Sequence, residues 1–272
     1  KPSSDTPLSV LELARLTQDV IPAGVFNVIT GSGSKAGQYI LDHPGFRKLA
    51  FTGSTEVGGC VACAAAERLI PSTLELGGKS ANIYFDDCKW EMAMDGLQLG
   101  ILFNQGQVCC AGSRVFVQDT IYDKFIDEAV KRFQAVKVGM PWDPATQMGS
   151  QINENQVGKI LEYIKIGKSE GARVACGGER MTEGELAKGC FMKPTLLVDV
   201  DNHMRVAQEE IFGPVLPVMT YESLDECIRF IRSREKPLAL YLFTKNRADE
   251  RKILDTCSFG GGCINDTIVH LA

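Results

Sequence analysis

The sequence is poor in the features that mark membrane proteins, nucleic-acid-binding proteins and histidine-based metal sites. Its 272 residues contain no apolar run long enough to span a bilayer. Lysine and arginine together number 29 against 34 aspartates and glutamates, so the net charge of -5 gives no positive field that would attract nucleic acid. The three histidines are far apart and belong to no evident motif. We therefore expect no membrane span, no nucleic-acid partner and no metal site.

Cysteine is the exception to this scarcity, since the chain has ten. Their spacing is not the regular spacing of a disulfide scaffold, which favours a reducing compartment and a cytoplasmic protein. The polar residues 1–5 lack the apolar core of a signal peptide, so none is expected there. Cys60 and Cys63 have the spacing of a redox or metal motif, but no second pair matches it and alanines surround them. We predict that this pair packs as small side chains in the core.

The composition is that of an ordinary soluble globular protein, with 44% apolar and 23% charged residues. The length allows one large domain or two smaller ones. Strand and helix patterns alternate with short links, which is the signature of a parallel sheet covered by helices. Gly77 and Gly78 form a natural hinge, so we predict two α/β units, residues 1–76 and residues 77–272.

Apolar periodicity places the helices and strands of both units. In the first unit we predict helices at residues 7–19, 34–41 and 55–69, and strands at 25–29, 48–51 and 73–76. In the second unit we predict helices at residues 90–103, 120–136, 155–169, 223–234 and 247–256, and strands at 80–85, 115–117, 191–198, 215–220 and 239–244. The first helix has an apolar face of leucines, residues 80–85 alternate in polarity, and the glycines at 260–262 are expected to loosen the chain.

Two adjacent thiols, Cys109 and Cys110, lie in a predicted turn between a helix and a strand. Gly106 and Gly112 flank them, and glycine permits backbone geometry that a side chain would resist. A thiol on such a loop is placed to meet a ligand. The alternative is that both are small hydrophobic residues packed in a turn, because free cysteine is usually buried. The residues of this stretch leave both interpretations open.

A second stretch, residues 74–80, sets Glu75 between two leucines just before the paired glycines. An ionised carboxylate is costly in an apolar strand end, so its pKa should rise towards the working pH. Such a group suits a general base that activates water. The alternative is a glutamate at a strand edge that faces solvent.

These two stretches resemble the aldehyde dehydrogenase superfamily, and two further motifs extend the resemblance over most of the chain. The further motifs are Phe51-Thr52-Gly53-Ser54-Thr55-Glu56-Val57-Gly58 and Glu209-Glu210-Ile211-Phe212-Gly213-Pro214-Val215. The resemblance implies that Cys109 is the nucleophile, Cys110 its neighbour and Glu75 the general base. It also implies an aldehyde dehydrogenase-like fold. Residues 1–76 would be the C-terminal part of a Rossmann-type NAD(P)-binding domain, and residues 77–272 an α/β catalytic domain.

The resemblance further implies an NAD or NADP cofactor, a small-molecule aldehyde of unspecified identity as substrate and a homo-oligomeric parent protein. The expected cofactor contacts are Lys1, Ser4, Gly33, Thr52, Gly53, Ser54, Leu76, Glu210 and Phe212. Thr52, Gly53 and Ser54 would contact the pyrophosphate, because amides at a helix N-terminus favour a phosphate. Glu210 corresponds to the ligand of the nicotinamide ribose, and Phe212 to the ring that packs against the nicotinamide.

Lys1 and Ser4 correspond to the residues that contact the adenine ribose. The family commonly has a glutamate at the position of Ser4, and its carboxylate would repel a 2′-phosphate. A serine hydroxyl can donate to such a phosphate, and the charge of Lys1 also suits it, so we expect NADP to be accepted, alone or alongside NAD. The alternative is that Ser4 only caps the helix that follows.

Other motifs leave the subfamily and the reaction open. Residues 234–241 and the pair Asn265-Asp266 resemble the class 3, or fatty-aldehyde, branch, whereas residues 104–114 resemble the class 1 and 2 branch. A CoA-acylating dehydrogenase would share the nucleophile, but Glu75 argues against it. A cysteine hydrolase or thioesterase would act without a cofactor. Since family members have further segments on both sides, we expect an internal piece that alone is a poor catalyst or a non-catalytic fragment.

Overall fold

The structure is a computed structural model that describes residues 1–233 and 237–269. It divides into two compact units, Lys1–Leu76 and Gly77–Ala272. Within the described ranges, no helix is both long enough and apolar enough to cross a membrane. Arg234, Glu235 and Lys236, which open the class 3-like stretch, lie outside the described residues. The roles predicted for the two units stay predictions.

The first unit contains a two-stranded parallel sheet and three α-helices among its described residues. The strands are β1 (Leu49–Thr52) and β2 (Ser72–Glu75), in register from Leu49 with Ser72 to Thr52 with Glu75. The helices are α1 (Leu8–Thr17), α2 (Gln38–Asp42) and α3 (Thr55–Glu67), and a π-helical turn, Gly33–Gly37, leads into α2. A small core of Leu49, Val61 and Ala65 lies between the sheet and α3. The elements predicted after residue 33 are confirmed, with ends moved by one or two residues.

The strand predicted at residues 25–29 is wrong. In the described part of this unit only β1 and β2 pair, and a strand needs a neighbour for its backbone N–H and C=O groups. Val25, Phe26 and Ile29 are exposed instead of buried. The apolar face of α1 is likewise at the surface, since none of the α1 residues is buried.

The prediction that Cys60 and Cys63 pack in the core is also wrong, because both are exposed on α3. The buried residues of α3 are Gly58, Val61 and Ala65. Their spacing of three and four residues defines one helix face, and positions 60 and 63 fall on the opposite face.

The second unit is built on a seven-stranded sheet in the order β5-β6-β7-β4-β3-β8-β9. The strands are β3 (Ala81–Tyr84), β4 (Arg114–Gln118), β5 (Arg173–Cys176), β6 (Thr195–Val198), β7 (Val215–Tyr221), β8 (Ala239–Phe243) and β9 (Gly261–Ile264). All neighbouring strands are parallel except β5 and β6. The helices are α4 (Trp90–Leu102), α5 (Tyr122–Ala135), α6 (Glu154–Glu170), α7 (Arg205–Gln208), α8 (Leu224–Arg232) and α9 (Arg247–Thr256). The two adjacent thiols lie in the loop from α4 to β4.

Most predicted elements of this unit are confirmed, but several details differ. The strand predicted at residues 191–198 covers only Thr195–Val198, and α7 was not predicted. All four residues of β3 are buried, because a central parallel strand is covered on both faces and does not alternate. The chain does not loosen at residues 260–262, since Gly261 and Gly262 belong to β9 and pair with Ala239 and Leu240. A strand ladder uses backbone groups that glycine retains. The sequence also gave no signal for β5, which is only four residues long.

Candidate active site

The loop between α4 and β4 starts with three consecutive residues in the left-handed region. Asn104, Gln105 and Gly106 have φ values of 47°, 58° and 74°. This conformation costs a non-glycine residue roughly 1–2 kcal/mol. The Asn104 side chain donates to the Gln107 carbonyl oxygen at 3.0 Å, and the Gln107 N–H donates to the Asn104 carbonyl oxygen at 3.0 Å. Backbone strain held by such contacts is concentrated at functional sites.

A tight turn then presents the two thiols differently. The Ala111 N–H donates to the Val108 carbonyl oxygen at 3.1 Å, which places Cys109 and Cys110 at the two central positions. Cys110 is only 7% exposed, and the Tyr241 hydroxyl donates to its carbonyl oxygen at 2.7 Å. Cys109 is partly buried. The turn therefore holds Cys110 in the interior and leaves Cys109 as the more accessible thiol.

The Cys109 thiol has a pKa above its ordinary value. Burial is the largest cause, and the neighbouring Cys110 adds to it. The backbone N–H groups of Cys109 and Cys110 lower the pKa again in part, whereas the charge of Glu210 raises it. At neutral pH the group is mainly a thiol, so its nucleophilic thiolate form requires a proton acceptor.

Glu210 brings a carboxylate to this region from the segment after α7. The Gly78 N–H donates to its Oε1 atom at 3.3 Å. A Cβ built on Gly77 would overlap this carboxylate and lie 2.8 Å from Glu210 Cδ, so the paired glycines let the chain pass directly beside it. Burial raises the pKa of Glu210, while the Gly78 amide and the charges of Lys159 and Lys79 lower it in part. The Glu210 carboxylate is therefore an acceptor of hydrogen bonds or protons with restricted access to water.

Backbone contacts tie the Cys109 turn to both flanking motifs. A Cβ built on Gly78 would lie 3.4 Å from the Cys109 carbonyl oxygen. A Cβ built on Gly106 would overlap the Gly213 carbonyl group and lie 2.8 Å from the Pro214 nitrogen. Because Gly106 also has a positive φ, a side chain there meets both strain and a clash. The paired glycines 77–78, the loop 104–114 and the segment 209–215 therefore meet at one place.

Phe212 has a left-handed backbone conformation, with a φ of 61°. The Gln156 side chain on α6 holds it by donating to the carbonyl oxygens of Ile211 and Phe212, at 3.1 Å and 2.7 Å. The Phe212 side chain stays partly exposed. The segment that follows Glu210 is therefore fixed by α6 with one aromatic ring presented at the surface.

In the first unit, the surroundings of Glu75 differ from the prediction. Glu75 is the last residue of β2, and its side chain is exposed. Leu74 packs against the small core, and Leu76 packs so closely against Gly58 that a Cβ there would overlap it. Successive side chains of a strand point to opposite faces, so the flanking leucines do not enclose the carboxylate. The expected apolar environment is wrong, and the role of general base stays a prediction.

The expected pyrophosphate contacts lie where β1 leads into α3. Thr52 ends β1, and Gly53 and Ser54 connect it to the helix. The Ser54 hydroxyl caps α3 by accepting from the Val57 N–H at 3.3 Å. All three predicted residues are exposed. Because Ser54 accepts from the third amide of α3, helix geometry leaves the first two amides without an intrahelical acceptor and available to an anion.

The remaining predicted contacts of this unit lie at a second turn. The Ser4 hydroxyl donates to the Gly31 carbonyl oxygen at 3.4 Å, which brings Ser4 close to the turn before Gly33. Pro7 precedes α1, and no side chain caps that helix. The capping role considered for Ser4 is therefore wrong. Lys1 is exposed and donates to the carbonyl oxygen of the adjacent Pro2.

Comparison with known proteins assigns the chain to a protein family. The model of the Aldehyde dehydrogenase family matches residues 1–272. The chain belongs to the aldehyde dehydrogenase family. Aldehyde dehydrogenase B of Escherichia coli (strain K12) is 44% identical in an alignment of 253 residues, and the match covers 90% of this chain and 49% of that protein.

Solved structures of aldehyde dehydrogenases are similar to the whole chain. Betaine aldehyde dehydrogenase from Staphylococcus aureus, in complex with NAD+, has a TM-score of 0.95 and 37% identity, covering 98% of this chain and 53% of that one. A mutant aldehyde dehydrogenase from Bacillus cereus has a TM-score of 0.93 and 40% identity, covering 98% of this chain and 54% of that one. The chain spans about half the length of these relatives.

Two polar residues at this candidate site were not singled out from the sequence. Gln156 holds the backbone of Phe212, and Lys159 is one of the charges that lower the pKa of Glu210. They are three residues apart on α6, so they share one helix face. That spacing is the only sequence signal, and it is too common on helices to identify a site.

The site offers thiol and carboxylate chemistry. All ten cysteines are free thiols. Across residues 1–233 and 237–269, no group of three or more His, Cys, Asp or Glu side chains could hold a metal ion. The second unit therefore presents an accessible thiol on a turn, backbone amides beside it and a half-buried carboxylate nearby.

Proposed function

We propose that the chain is part of an NAD(P)-dependent aldehyde dehydrogenase that oxidises an aldehyde to a carboxylic acid through a covalent intermediate on Cys109. The observation that carries the proposal is the accessible Cys109 thiol in a tight turn, in backbone contact with Gly78 and, through Gly106, with Gly213. Family membership supports the reaction class, and the NAD+ complex of the Staphylococcus aureus relative supports the cofactor. The activity is proposed for the whole protein, since the chain spans half of its relatives.

Cys109 attacks the carbonyl carbon of the aldehyde. A carbon–sulfur bond forms while the π bond of the carbonyl breaks to leave an oxyanion, and the thiol proton passes to water. Because burial raises the pKa of Cys109, this proton must be removed before or during the attack. The backbone N–H groups of Cys109 and Cys110, which already favour a negative charge on the sulfur, are suited to donate to the oxyanion. Cys110 does not replace Cys109, because it is buried beside Tyr241.

The cofactor contacts are proposed for each unit by itself. In the first unit, the free amides at the start of α3 suit a pyrophosphate, with Thr52, Gly53 and Ser54 leading into them. In the second unit, the Glu210 carboxylate suits the hydroxyl groups of a ribose, and the partly exposed Phe212 suits a nicotinamide ring. When bound, the nicotinamide accepts the hydride that leaves the carbon attached to Cys109. These donors and acceptors fit NAD or NADP.

The other proposed contacts of the first unit are Lys1, Ser4, Gly33 and Leu76. The hydrogen bond from Ser4 to Gly31 places the Ser4 hydroxyl at the turn before Gly33. Lys1 adds an exposed positive charge to this end of the chain. A hydroxyl at this turn and an ammonium group three residues earlier in the chain are the groups that suit an adenine ribose with a phosphate.

Glu75 is proposed to activate the water that releases the carboxylic acid from Cys109. Its exposed carboxylate has access to water and can accept a proton from it. The acyl group then passes to water, whereas a CoA-acylating enzyme would pass it to a thiol. A homo-oligomeric state stays a prediction.

The test is the reduction of NAD+ and NADP+ by a panel of aldehydes, measured with the complete protein as wild type, as Cys109→Ala and as the matched control Cys110→Ala. We expect Cys109→Ala to lose at least about 10³-fold in kcat, as the loss of a covalent nucleophile does. Cys110→Ala should keep most of the activity. The product without added CoA should be the acid, and a strict need for CoA would identify the acylating alternative. Full activity in Cys109→Ala would refute the proposal.

A further inference from the structure

A buried tyrosine of the seven-stranded sheet is hydrogen-bonded to the turn that carries Cys109. The Tyr241 hydroxyl donates to the Cys110 carbonyl oxygen at 2.7 Å, and the tyrosine is 0% exposed. The backbone of Tyr241 pairs on one side with Asn82 of β3 and on the other with Cys263 of β9. Because two neighbouring strands fix β8 in this way, the hydroxyl reaches the turn from a rigid support.

The hydroxyl acts on the peptide unit that closes the turn. This unit joins Cys110 to Ala111. Its carbonyl oxygen accepts from Tyr241, and its N–H donates to the Val108 carbonyl oxygen at 3.1 Å. Both polar ends of one peptide plane are therefore held, the first by the sheet and the second by the turn itself. A rotation of this plane would weaken both hydrogen bonds, so Tyr241 fixes the orientation of the turn relative to the sheet.

The Tyr241 hydroxyl is a hydrogen-bond donor and not a source of protons. Burial raises its pKa above the ordinary tyrosine value, and Cys110 and Cys263 raise it further, whereas the Ile268 N–H lowers it in part. The phenol therefore stays neutral at neutral and mildly alkaline pH. Its ring packs in a small apolar cluster with Cys110, Ala239 and Cys263, which fixes the direction of the hydroxyl.

We propose that Tyr241 is a positioning residue for the Cys109 nucleophile, acting through its hydrogen bond to the Cys110 carbonyl oxygen. By fixing the turn, this bond keeps the backbone N–H groups of Cys109 and Cys110 directed towards the Cys109 sulfur. The inference rests on the proposed role of Cys109.

The physical consequence concerns the proton of the Cys109 thiol. The N–H groups of Cys109 and Cys110 lower the pKa of this thiol, whereas burial, the neighbouring Cys110 thiol and the charge of Glu210 raise it. Without the Tyr241 hydroxyl, one end of the closing peptide unit is released and the two amides donate less well to the sulfur. The pKa of Cys109 then rises, and less of the nucleophilic thiolate is present at a given pH.

The test is the rate at which iodoacetamide alkylates Cys109 of the complete protein, read by peptide mapping over a range of pH with glutathione as the reference for the reagent. Tyr241→Phe removes the hydroxyl and keeps the ring. Tyr241→Met also lacks the hydroxyl, and its flexible side chain can fill the space left by the ring.

The matched control is Tyr221→Phe on β7. Tyr221 is likewise buried, at 2% exposed, and its hydroxyl also donates to a backbone carbonyl oxygen, that of Tyr84, at 3.2 Å. This control therefore loses a hydrogen bond of the same kind at a place away from the Cys109 turn.

We expect Tyr241→Phe to slow Cys109 alkylation at pH 8 by about three- to tenfold, which corresponds to a rise of the pH midpoint by roughly half to one unit. Tyr241→Met should move the midpoint in the same direction. Tyr221→Phe should lose a similar amount of thermal stability, because it also leaves a buried carbonyl oxygen without its donor. Its rate of Cys109 alkylation and its pH midpoint should equal those of the wild type.

An unchanged pH midpoint in Tyr241→Phe would overturn the inference. An equal shift in Tyr221→Phe would also overturn it, because the cause would then be a general loss of stability. If Tyr241→Phe does not fold, Tyr241→Met decides by the same criterion. The proposed function fails in a different way, namely if Cys109→Ala of the complete protein keeps full activity.

Discussion

At the scale of single residues, two pairs of identical side chains lie in different environments. Cys109 and Cys110 are neighbours of identical type, yet the turn buries one and leaves the other accessible. Glu75 and Glu210 differ in the same sense, since the first is exposed and the second is held against the Gly77-Gly78 backbone. Removing the charge is therefore expected to change protein stability at Glu210 and steady turnover at Glu75.

Glu210→Gln should stabilise the protein at neutral pH. Burial raises the pKa of Glu210, so the folded state binds its proton more readily than the unfolded chain. Wild-type stability therefore falls as the pH rises from the ordinary glutamate value of 4.5 through the higher value of the folded state. Glutamine removes the charge, and its oxygen can still accept from Gly78. The melting temperature of the variant should exceed that of the wild type at pH 7, and the difference should shrink towards pH 4.5.

The same variant should bind cofactor more weakly, because a ribose hydroxyl loses a charged acceptor. Glu209→Gln is the control, since Glu209 accepts from Tyr163 and forms an ion pair with Arg205. It should gain no stability at pH 7. A lower melting temperature for Glu210→Gln than for the wild type at pH 7 would contradict the assigned burial of this charge.

Glu75→Gln should separate the two halves of the reaction. The variant keeps the shape of the side chain but cannot accept a proton from water. A pre-steady-state burst of reduced cofactor should survive, while steady turnover falls by roughly 10²- to 10⁴-fold. Rapid-mixing absorbance measurements give both quantities. Glu67→Gln, at the exposed end of α3, is the matched control and should leave both unchanged. Steady turnover equal to the wild type in Glu75→Gln would exclude the role.

At the scale of elements, the site depends on how the α4–β4 loop is held. Its left-handed start is supported by hydrogen bonds within the loop and by the close approach of Gly106 to Gly213. The segment 209–215 lies beside this loop, and Gln156 on α6 fixes its backbone at Phe212. An element that carries no proposed chemistry, α6, thus supports the site geometry.

Gly106→Ala should destabilise the second unit and lower the reactivity of Cys109. The change adds a Cβ to a residue with a φ of 74°, which costs roughly 1–2 kcal/mol, and the new atom overlaps the Gly213 carbonyl group. The measurements are the melting temperature and the rate of Cys109 alkylation. Gly158→Ala on α6 is the control, because a Cβ there meets nothing within 4 Å and alanine favours a helix. Equal stability of the two variants would show that the Gly106 contact is unimportant.

At the scale of the whole molecule, the described chain consists of two units with separate proposed tasks. We propose that the first supplies amides and a hydroxyl for the phosphate-bearing part of a cofactor, and that the second supplies the Cys109 thiol and the Glu210 carboxylate. Each unit has its own sheet. Cofactor preference can therefore be changed in the first unit without touching the proposed nucleophile.

Ser4→Glu should shift the preference from NADP towards NAD. Ser4 donates to Gly31 and does not cap α1, so its hydroxyl is placed at a turn and not committed to the helix. A glutamate would repel a 2′-phosphate and accept from ribose hydroxyls. We expect kcat/KM for NADP to fall by about tenfold or more relative to NAD, as loss of a charge-assisted contact does. Ser3→Glu, one residue earlier and also exposed, is the control. A wild type that uses NAD alone would remove Ser4 as the discriminating residue.

The sequence by itself determined most of the secondary structure and the identity of the proposed site residues. Helices such as Glu154–Glu170 follow from apolar periodicity, which is local. The turn around Cys109 follows from its flanking glycines. The family follows from four motifs whose order is linear in the chain, so no knowledge of packing was needed.

Only the tertiary structure decided which side chains meet and which are buried. Backbone pairing with β8 makes the glycine-rich stretch 261–264 a strand. Within the described residues, segment 25–29 has no such partner and forms no strand. Cys60 and Cys63 are exposed because they lie on the outer face of α3, and Glu75 is exposed because its side chain points away from the core at the end of β2. Gln156 and Phe212 are distant in the chain, and no local pattern predicts that the first holds the backbone of the second. The physical reason is common to all these cases, because burial and contact depend on residues distant in the chain.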